Sequence, residues 1–301
     1  MVADVSSDFE LYWTSASAQP ARAVLPAAST AALALMTETA ARVEGDPAAT
    51  SYLEALRGSA LIQDLMTGSL RLEWADVHMV SDDPAKGLGR AREDQLLWTR
   101  LKQVLGMPKR SLHLVSPYFV PGSRGVQDLT SFARQGTSVR ILTNALESTD
   151  VAAVHAGYAR RRRPLLAAGI ELFELKRSAG APSARGRTVA GSSASSLHAE
   201  TFAVDDERLF VGSFNFDPRS QRLNTELGFV IDCSAMARAF ADEFRTTIPA
   251  RAYRVTTHDG GMRWEELHEG KTLVFDSEPQ TSTWQRVLVA ALSLLPIEWL
   301  L

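Results

Sequence analysis

The spacing of apolar positions changes near residue 90. Residues 9–13 and the Ala-rich stretch 26–60 have helical spacing, and residues 81–90 have the composition of a loop. Beyond residue 90, short apolar runs at 112–115, 139–142, 170–175 and 227–231 alternate with helical segments at 91–105, 125–135, 150–168 and 234–247. Strands that alternate with helices predict a sheet covered by helices on both faces.

Polar side chains interrupt a pair of predicted strands, 197–204 and 208–215, and the start of the strand after them. The polar positions are His198, Glu200, Asp205, Ser213, Asn215 and Glu226. Because side chains two residues apart in a strand share a face, His198 projects together with Glu200, and Ser213 with Asn215. Such a polar face is costly unless its groups are hydrogen-bonded or used. We therefore expect these side chains to converge, with the Glu226 carboxylate hydrogen-bonded to His198.

Composition narrows the class of protein. Hydrophobic residues make up 45% of the 301 residues, which suits one large domain or two small ones. The net charge of −3 provides no global positive field and argues against nucleic acid as a partner. A single cysteine, Cys233, excludes an internal disulfide. The acidic, polar start predicts no signal peptide, and no apolar run reaches the ~20 residues of a spanning helix.

The stretch from His198 to Glu226 resembles the signature of the phospholipase D superfamily. In that signature a histidine, a lysine and an aspartate precede a Gly-Ser pair and an asparagine, and all but the lysine are present here. A single histidine near an acidic residue would be interpreted as a structural residue with its hydrogen bonds made. Here the spacing of all the signature residues favours a catalytic site instead. Segments 116–122, 143–150 and 217–220 resemble bacterial cardiolipin synthases that carry two such motifs.

This resemblance implies a fold, a division of the chain and a chemistry. The implied fold is an α/β/α sandwich with a mixed sheet, formed by the second of two phospholipase D-type repeats. The implied segments are the tail of a first repeat at 1–25, a helical linker at 26–89, the second repeat at 90–250 and a C-terminal tail at 251–301. The implied reaction is phosphatidyl transfer through a phosphohistidine, without a metal or another cofactor.

The resemblance also implies roles and partners. His198 is the nucleophile or the general acid, while Ser213 and Asn215 hold phosphate or order the site. Glu226 supports His198, and Asp205 anchors the hairpin. The implied partners are phospholipids such as phosphatidylglycerol and the membrane surface, so the expected location is peripheral, at the cytoplasmic membrane.

Two departures from the family pattern bear on activity. The chain contains one motif, so we expect the first motif upstream of Met1, on a partner chain, or on a second copy in a homodimer. Position 200 is glutamate where the family has the lysine that holds phosphoryl oxygens, so we expect impaired catalysis. The alternatives are a non-catalytic lipid-binding remnant or subunit, and a homodimeric phosphodiesterase or nuclease.

Arginine clusters outside the motif are candidate lipid contacts. The arginines at 160–163 lie on the predicted helix 150–168, where a solvated surface and a contact with anionic headgroups both fit. Arg185 and Arg187 fall in the Ser- and Gly-rich segment 177–195, which is predicted to be a mobile loop.

The C-terminal segment 284–301 is mostly apolar. It fits either a core helix followed by a strand or an interfacial segment with Trp284 and Trp299 at headgroup level.

Overall fold

The described part of the protein falls into two compact units. The computed structural model describes residues 1–177, 197–296 and 298. One unit comprises Met1–Ser17 and Asp76–Leu301, and the other comprises Ala18–Ala75. The predicted helical linker at 26–89 therefore needs new bounds, because residues 76–89 belong to the first unit. The predicted loop at 177–195, with Arg185 and Arg187, lies outside the described residues except for residue 177.

Helices and strands alternate through much of the first unit, whereas the second unit is helical. The helices are α1 (Val2–Trp13), α2 (Ala21–Val24), α3 (Thr30–Glu44), α4 (Pro47–Arg57), α5 (Ala60–Thr67), α6 (Leu97–Leu105), α7 (Gly122–Arg134), α8 (Ala152–Ala159), α9 (Arg162–Ala167), α10 (Pro218–Arg222), α11 (Ser234–Glu243), α12 (Ile248–Arg251) and α13 (Thr283–Ser293). The strands are β1 (Asp76–Ser81), β2 (Ser111–Val115), β3 (Ser138–Asn144), β4 (Glu171–Leu175), β5 (Glu200–Val204), β6 (Arg208–Gly212), β7 (Leu227–Asp232), β8 (Ala252–His258), β9 (Gly261–His268) and β10 (Lys271–Phe275).

All of these strands form one mixed sheet in the order β1-β7-β6-β5-β2-β3-β4-β8-β9-β10. Strands β2, β3 and β4 run parallel, and the other neighbouring pairs are antiparallel. Helices α6, α7 and α9 pack on one face, and α11 and α12 pack on the other. This arrangement confirms the predicted α/β/α sandwich with a mixed sheet.

Central strand β2 shows how the core is divided between the two faces. All five of its residues are buried, as expected for a strand covered by helices on both sides. Leu112 and Leu114 belong to the core beneath α6 and α7, whereas Val115 packs with Phe244 on the opposite face. The alternation follows from the two-residue period of a strand, so one short sequence supplies both cores.

Two predicted elements at the C-terminal side differ from the structure. The helix expected at 150–168 is divided into α8 and α9. The expected tail at 251–301 is instead part of the compact unit, because β8, β9 and β10 extend the sheet and α13 packs on α8 through Val289. Turns at Asp259-Gly260 and Glu269-Gly270 connect these strands, and their positive φ angles of 49° and 76°, then 49° and 75°, fit tight hairpins.

The N-terminal helix α1 belongs to the same unit as the sheet. The Tyr12 hydroxyl donates a hydrogen bond to the backbone oxygen of Asp82 at 2.9 Å. Ser81 Oγ, at the end of β1, donates to the Asp8 carboxylate at 2.6 Å. These contacts tie α1 to the edge of the sheet, and the assignment of residues 1–25 to a first repeat stays a prediction.

Candidate active site

The predicted site residues surround the start of β5 and the end of β6. In this antiparallel pair Glu200 is in register with Gly212, so the residue before Glu200 and the residue after Gly212 lie at the same end. Gly212 also pairs with Gly228 of β7. A Cβ atom at Gly212 would meet the Leu227 carbonyl oxygen at 2.5 Å, so the close approach of β6 and β7 requires glycine here.

His198 is exposed and lies two residues before β5. Its backbone neighbour is held by Asn144, at the end of β3. Asn144 Oδ1 accepts a hydrogen bond from Leu197 N at 3.0 Å, and its Nδ2 donates to Leu197 O at 3.4 Å. Fixing Leu197 places the imidazole at the surface, where a substrate can reach it. The local sequence pattern around Asn144 does not indicate this role.

Asn215 is held by hydrogen bonds on both sides of its amide. Its Oδ1 accepts from Ser116 Oγ and from Tyr118 N, both at 3.2 Å. Its Nδ2 donates to Glu200 Oε1 at 3.2 Å. The asparagine that the resemblance assigns to phosphate therefore bonds to the carboxylate that replaces the family's lysine.

Glu200 is partly buried, and His198 is the charged group that acts on its carboxylate. Burial raises the pKa of Glu200, and the hydrogen bond from Asn215 and the nearby His198 only partly offset this effect. Tyr118 lies close by and donates to Asp150 Oδ2 at 2.9 Å. Burial raises the pKa of Tyr118 to about 12, with further contributions from Asp150 and from the charge of Glu200. Position 200 thus presents a carboxylate where the family pattern has the ammonium group of a lysine.

Glu226 is buried and bonded to two serines. Its Oε2 accepts from Ser213 Oγ at 2.5 Å, and its Oε1 accepts from Ser220 Oγ at 2.9 Å. Burial raises the pKa of Glu226, and the two serine hydroxyls lower it less. The predicted hydrogen bond between Glu226 and His198 is corrected by this geometry, because both carboxylate oxygens are directed to serines. Glu226 therefore fixes Ser213 rather than the imidazole.

A buried ion pair lies behind Glu226. Lys86 Nζ donates to Asp82 Oδ2 at 2.6 Å and to the backbone oxygen of Ser220 at 2.7 Å. Asp82 in turn accepts from the backbone N–H of Glu226 at 2.9 Å and from Leu97 N at 2.7 Å. Lys86 and Asp82 are 3% and 0% exposed, so the pair is shielded from water. Both residues fall in the segment 81–90, whose composition predicts an ordinary loop and does not indicate a buried ion pair.

Asp205 lies away from the other predicted site residues, at the opposite end of β5. Its carboxylate accepts hydrogen bonds from the backbone N–H groups of Lys109, Arg110 and Ser111 at 2.6–3.1 Å. Burial opposes the charged form, but these N–H groups outweigh it and lower the pKa of Asp205. The residue has the geometry of a structural anchor that joins the β5–β6 turn to the start of β2.

The arginines at 160–163 separate into different environments. Arg162 is 4% exposed, and its guanidinium lies 2.8 Å from Glu174 and 2.5 Å from Glu278. It is therefore part of a buried ionic cluster, which corrects the expectation of one solvated or lipid-facing group. Arg161 forms an ion pair with Glu298 at 2.7 Å, near the C-terminal segment.

In 1–177, 197–296 and 298, no three His, Cys, Asp or Glu side chains are grouped so that they could hold a metal ion. Among the helices formed by these residues, none has the length and apolar character needed to cross a membrane.

Several known proteins are similar to this chain in sequence. Residues 101–248 match the family of cardiolipin synthase, phospholipase D-like domains. Cardiolipin synthase C of Escherichia coli K12 is 41% identical over 303 residues, which covers all of this chain and 64% of that protein. The chain thus spans less than two thirds of that relative.

Solved structures with related folds are more distant. Nuc of Salmonella typhimurium, a phospholipase D family member, is 16% identical with a TM-score of 0.43, covering 61% of this chain and 100% of that protein. Phosphatidylserine synthase of Haemophilus influenzae is 15% identical with a TM-score of 0.46, covering 75% of this chain and 48% of that protein.

The family match begins within α6 and ends at the start of α12, so it includes β5, β6 and the site residues at their shared end. The relative from Escherichia coli extends the similarity over the whole chain. On this basis the chain belongs to the phospholipase D superfamily and is similar to bacterial cardiolipin synthases.

Proposed function

We propose that this chain supplies one half of a cardiolipin synthase-type active site that transfers a phosphatidyl group between phospholipids. The observation that supports the proposal is the hydrogen-bonded group of Asn215 with Glu200 and of Ser213 with Glu226 at the end of β5 and β6 that His198 immediately precedes. The other half-site would come from a first repeat, on a longer form of the protein, a partner chain or a second copy.

The proposed reaction needs two histidines. One attacks the phosphorus of phosphatidylglycerol, so that a P–N bond forms and the P–O bond to glycerol breaks. The other histidine protonates the departing glycerol oxygen. A hydroxyl of a second phosphatidylglycerol then attacks the phosphohistidine, gives its proton to the second histidine and releases cardiolipin. His198 fits either role, nucleophile or general acid, because its ring is exposed. The second histidine, which would take the other role, would come from the other half-site.

The test combines this chain with a first half from a relative and follows cardiolipin formed from labelled phosphatidylglycerol. We expect weak turnover that requires both halves and is lost in His198→Ala. Exposed His258, the last residue of β8, provides the matched control, and His258→Ala should leave turnover unchanged. Turnover by this chain alone that survives His198→Ala would move the chemistry elsewhere. Lipid binding without turnover in any combination would favour a non-catalytic subunit.

We also propose that α13 lies on the membrane surface. One side of α13 packs on α8 through Val289, which is 5% exposed. Its other side presents Trp284, Val287 and Leu288, which are 75%, 50% and 44% exposed. Exposed large apolar residues on an amphipathic helix are typical of interfacial segments. This exposure supports an interfacial segment over a core helix, while Trp299, predicted at headgroup level, lies outside the described residues.

Removing the apolar side of α13 should weaken membrane binding. If each inserted side chain contributes about 1 kcal/mol, a Trp284→Ser, Val287→Ser, Leu288→Ser variant binds anionic vesicles roughly a hundredfold more weakly. Vesicle sedimentation measures the change, and circular dichroism checks that the fold is retained. The control is Leu267→Ser with Leu273→Ser, which removes exposed apolar residues from β9 and β10. Equal weakening in both variants would contradict the assignment of α13.

A further inference from the structure

The segment 116–122, which resembles bacterial cardiolipin synthases, begins with a serine that the proposed reaction does not use. Ser116 directly follows β2, and it is 0% exposed. Its backbone N–H donates to the Leu142 carbonyl oxygen of β3 at 3.0 Å, which continues the hydrogen bonding between these two strands beyond the end of β2. Ser116 is therefore held by the framework of the sheet.

The Ser116 hydroxyl joins two segments that meet at the candidate site. Its Oγ donates to the backbone oxygen of Tyr118 at 3.0 Å and to Asn215 Oδ1 at 3.2 Å, and it accepts from the Phe216 N–H at 3.4 Å. A hydroxyl has one proton, so the two acceptors share it, while its lone pairs accept from the N–H group. The same two segments are also joined by a hydrogen bond from Val120 N to Phe216 O at 2.7 Å.

These contacts determine which way the Asn215 amide points. A backbone N–H group only donates, so the N–H of Tyr118 requires the oxygen of the amide on its side, at 3.2 Å. The Ser116 hydroxyl donates to the same oxygen and also holds Tyr118 in place through its carbonyl. The Nδ2 group of Asn215 is thereby directed to position 200, where it donates to Glu200 Oε1 at 3.2 Å.

The opposite orientation of the amide is unfavourable. It would place the Nδ2 protons against the Tyr118 N–H group, so that two donors would face each other. Asn215 is 9% exposed, so water has little access to replace the hydrogen bonds that would be lost. The amide is therefore fixed before any ligand arrives.

We infer that Ser116 is a positioning residue, whose hydroxyl keeps the N–H donors of Asn215 directed at the place of the phosphoryl group. An amide nitrogen stabilises a phosphoryl oxygen when its protons face that oxygen, whereas the amide oxygen would repel it. The role in phosphatidyl transfer rests on the proposed function. The orientation of the amide and its binding of phosphate require no turnover.

The test compares two substitutions of equal shape at position 116, made in the full chain with Glu200→Lys, which frees Asn215 Nδ2 for an anion. Ser116→Thr keeps the hydroxyl and Ser116→Val has a methyl group instead, so both add the same bulk to the buried position. We expect inorganic phosphate, titrated and followed by NMR, to bind about tenfold more weakly with Ser116→Val than with Ser116→Thr. Ser116→Ala, which adds no bulk, should resemble Ser116→Val.

The side-chain NMR signals of Asn215 give a second measurement. With Ser116→Thr the two Nδ2 protons should keep separate signals and slow hydrogen exchange, and with Ser116→Val they should exchange at least tenfold faster. Ser111, which is 7% exposed and begins β2 at the end opposite Ser116, supplies the matched control. Ser111→Thr and Ser111→Val should have the same phosphate affinity and the same Asn215 signals.

The outcomes separate the positioning role from the proposed reaction. Equal phosphate affinity and equal Asn215 signals in Ser116→Thr and Ser116→Val would overturn the positioning role, even where turnover persists. No phosphate binding by the Glu200→Lys protein itself would also overturn it, because Asn215 would then hold no phosphate. The expected difference in phosphate binding, found without cardiolipin formation when a first half is supplied, would support the positioning role and count against the proposed reaction.

Discussion

Replacing Glu200 with lysine is expected to raise phosphatidyl transfer by about a thousandfold or more when a first half-site is supplied. A unit charge about 4 Å from a phosphate oxygen contributes roughly 4 kcal/mol at an effective dielectric constant of 20. Replacing glutamate by lysine removes one repulsion and adds one attraction, so the electrostatic energy changes by up to twice this amount. Because position 200 is partly exposed to water, the change is smaller than that. Each 1.36 kcal/mol of transition-state stabilisation corresponds to about tenfold in rate. The initial rate of cardiolipin formation measures the gain.

Two controls separate the charge from other effects. Glu200→Gln keeps the shape and a group that can bond to Asn215 but removes the negative charge, so its rate should lie between those of the other two. Glu200→Lys without the first half should remain inactive, because one histidine is then missing. Identical rates for glutamate, glutamine and lysine at position 200 would show that this side chain does not face the phosphate.

The same carboxylate has a consequence for pH dependence. Burial raises the pKa of Glu200. The Glu200 side chain of the unmodified protein therefore changes from its neutral to its charged form as the pH rises through this raised pKa. Repulsion of phosphate therefore increases with pH. The ratio of the Glu200→Gln rate to the unmodified rate should increase over the same interval, since changes at the histidines affect both proteins equally. A ratio that is independent of pH would contradict this account.

Loss of the Lys86 ammonium should produce the largest change in stability. Lys86→Met leaves the buried Asp82 carboxylate without its cation, and breaking a buried pair on one side costs about 3–5 kcal/mol. The free energy of unfolding from urea denaturation measures the loss. Lys109 has an exposed side chain, so Lys109→Met should change stability by no more than about 0.5 kcal/mol.

A second substitution tests whether the unpaired charge is the cause. Asp82→Leu combined with Lys86→Met removes both charges, and the double variant should be less destabilised than the sum of the single variants. Additive losses would mean that the two residues act independently. Because Asp82 also binds the backbone N–H of Glu226, Lys86→Met should disturb the hydrogen bond between Glu226 and Ser213 as well.

The local pattern of the sequence was sufficient to predict the strand pair that carries the site. The observed β5 and β6 lie within the predicted 197–204 and 208–215, but β5 begins at Glu200 and β6 ends at Gly212, so His198, Ser213 and Asn215 lie just beyond the strands. The hydrophobic runs that became β2, β3, β4 and β7 were predicted from the same local pattern. Spacing along a strand is a local property, so it can be derived from one segment at a time.

The partners of the polar side chains depended on the tertiary structure. Glu226 bonds to Ser213 and Ser220 because β7 pairs with β6 and α10 folds back beside it. Asn215 binds Glu200 because Ser116 and Tyr118, near the end of β2, hold the other side of its amide. These contacts join residues of different elements, and spacing within one segment carries no information about them.

The sheet edges and the buried charges were also outside the reach of the sequence pattern. Strand β1 mixes exposed and buried positions, and the short strands β8–β10 present many polar residues to water, so neither shows a clear apolar run. Lys86 and Arg162 resemble ordinary surface cations in the sequence. Only the packing of helices and strands around them excludes water and brings each cation to a carboxylate. Lys86 thereby supports the site through Asp82, and Arg162 becomes part of the core beside Glu174.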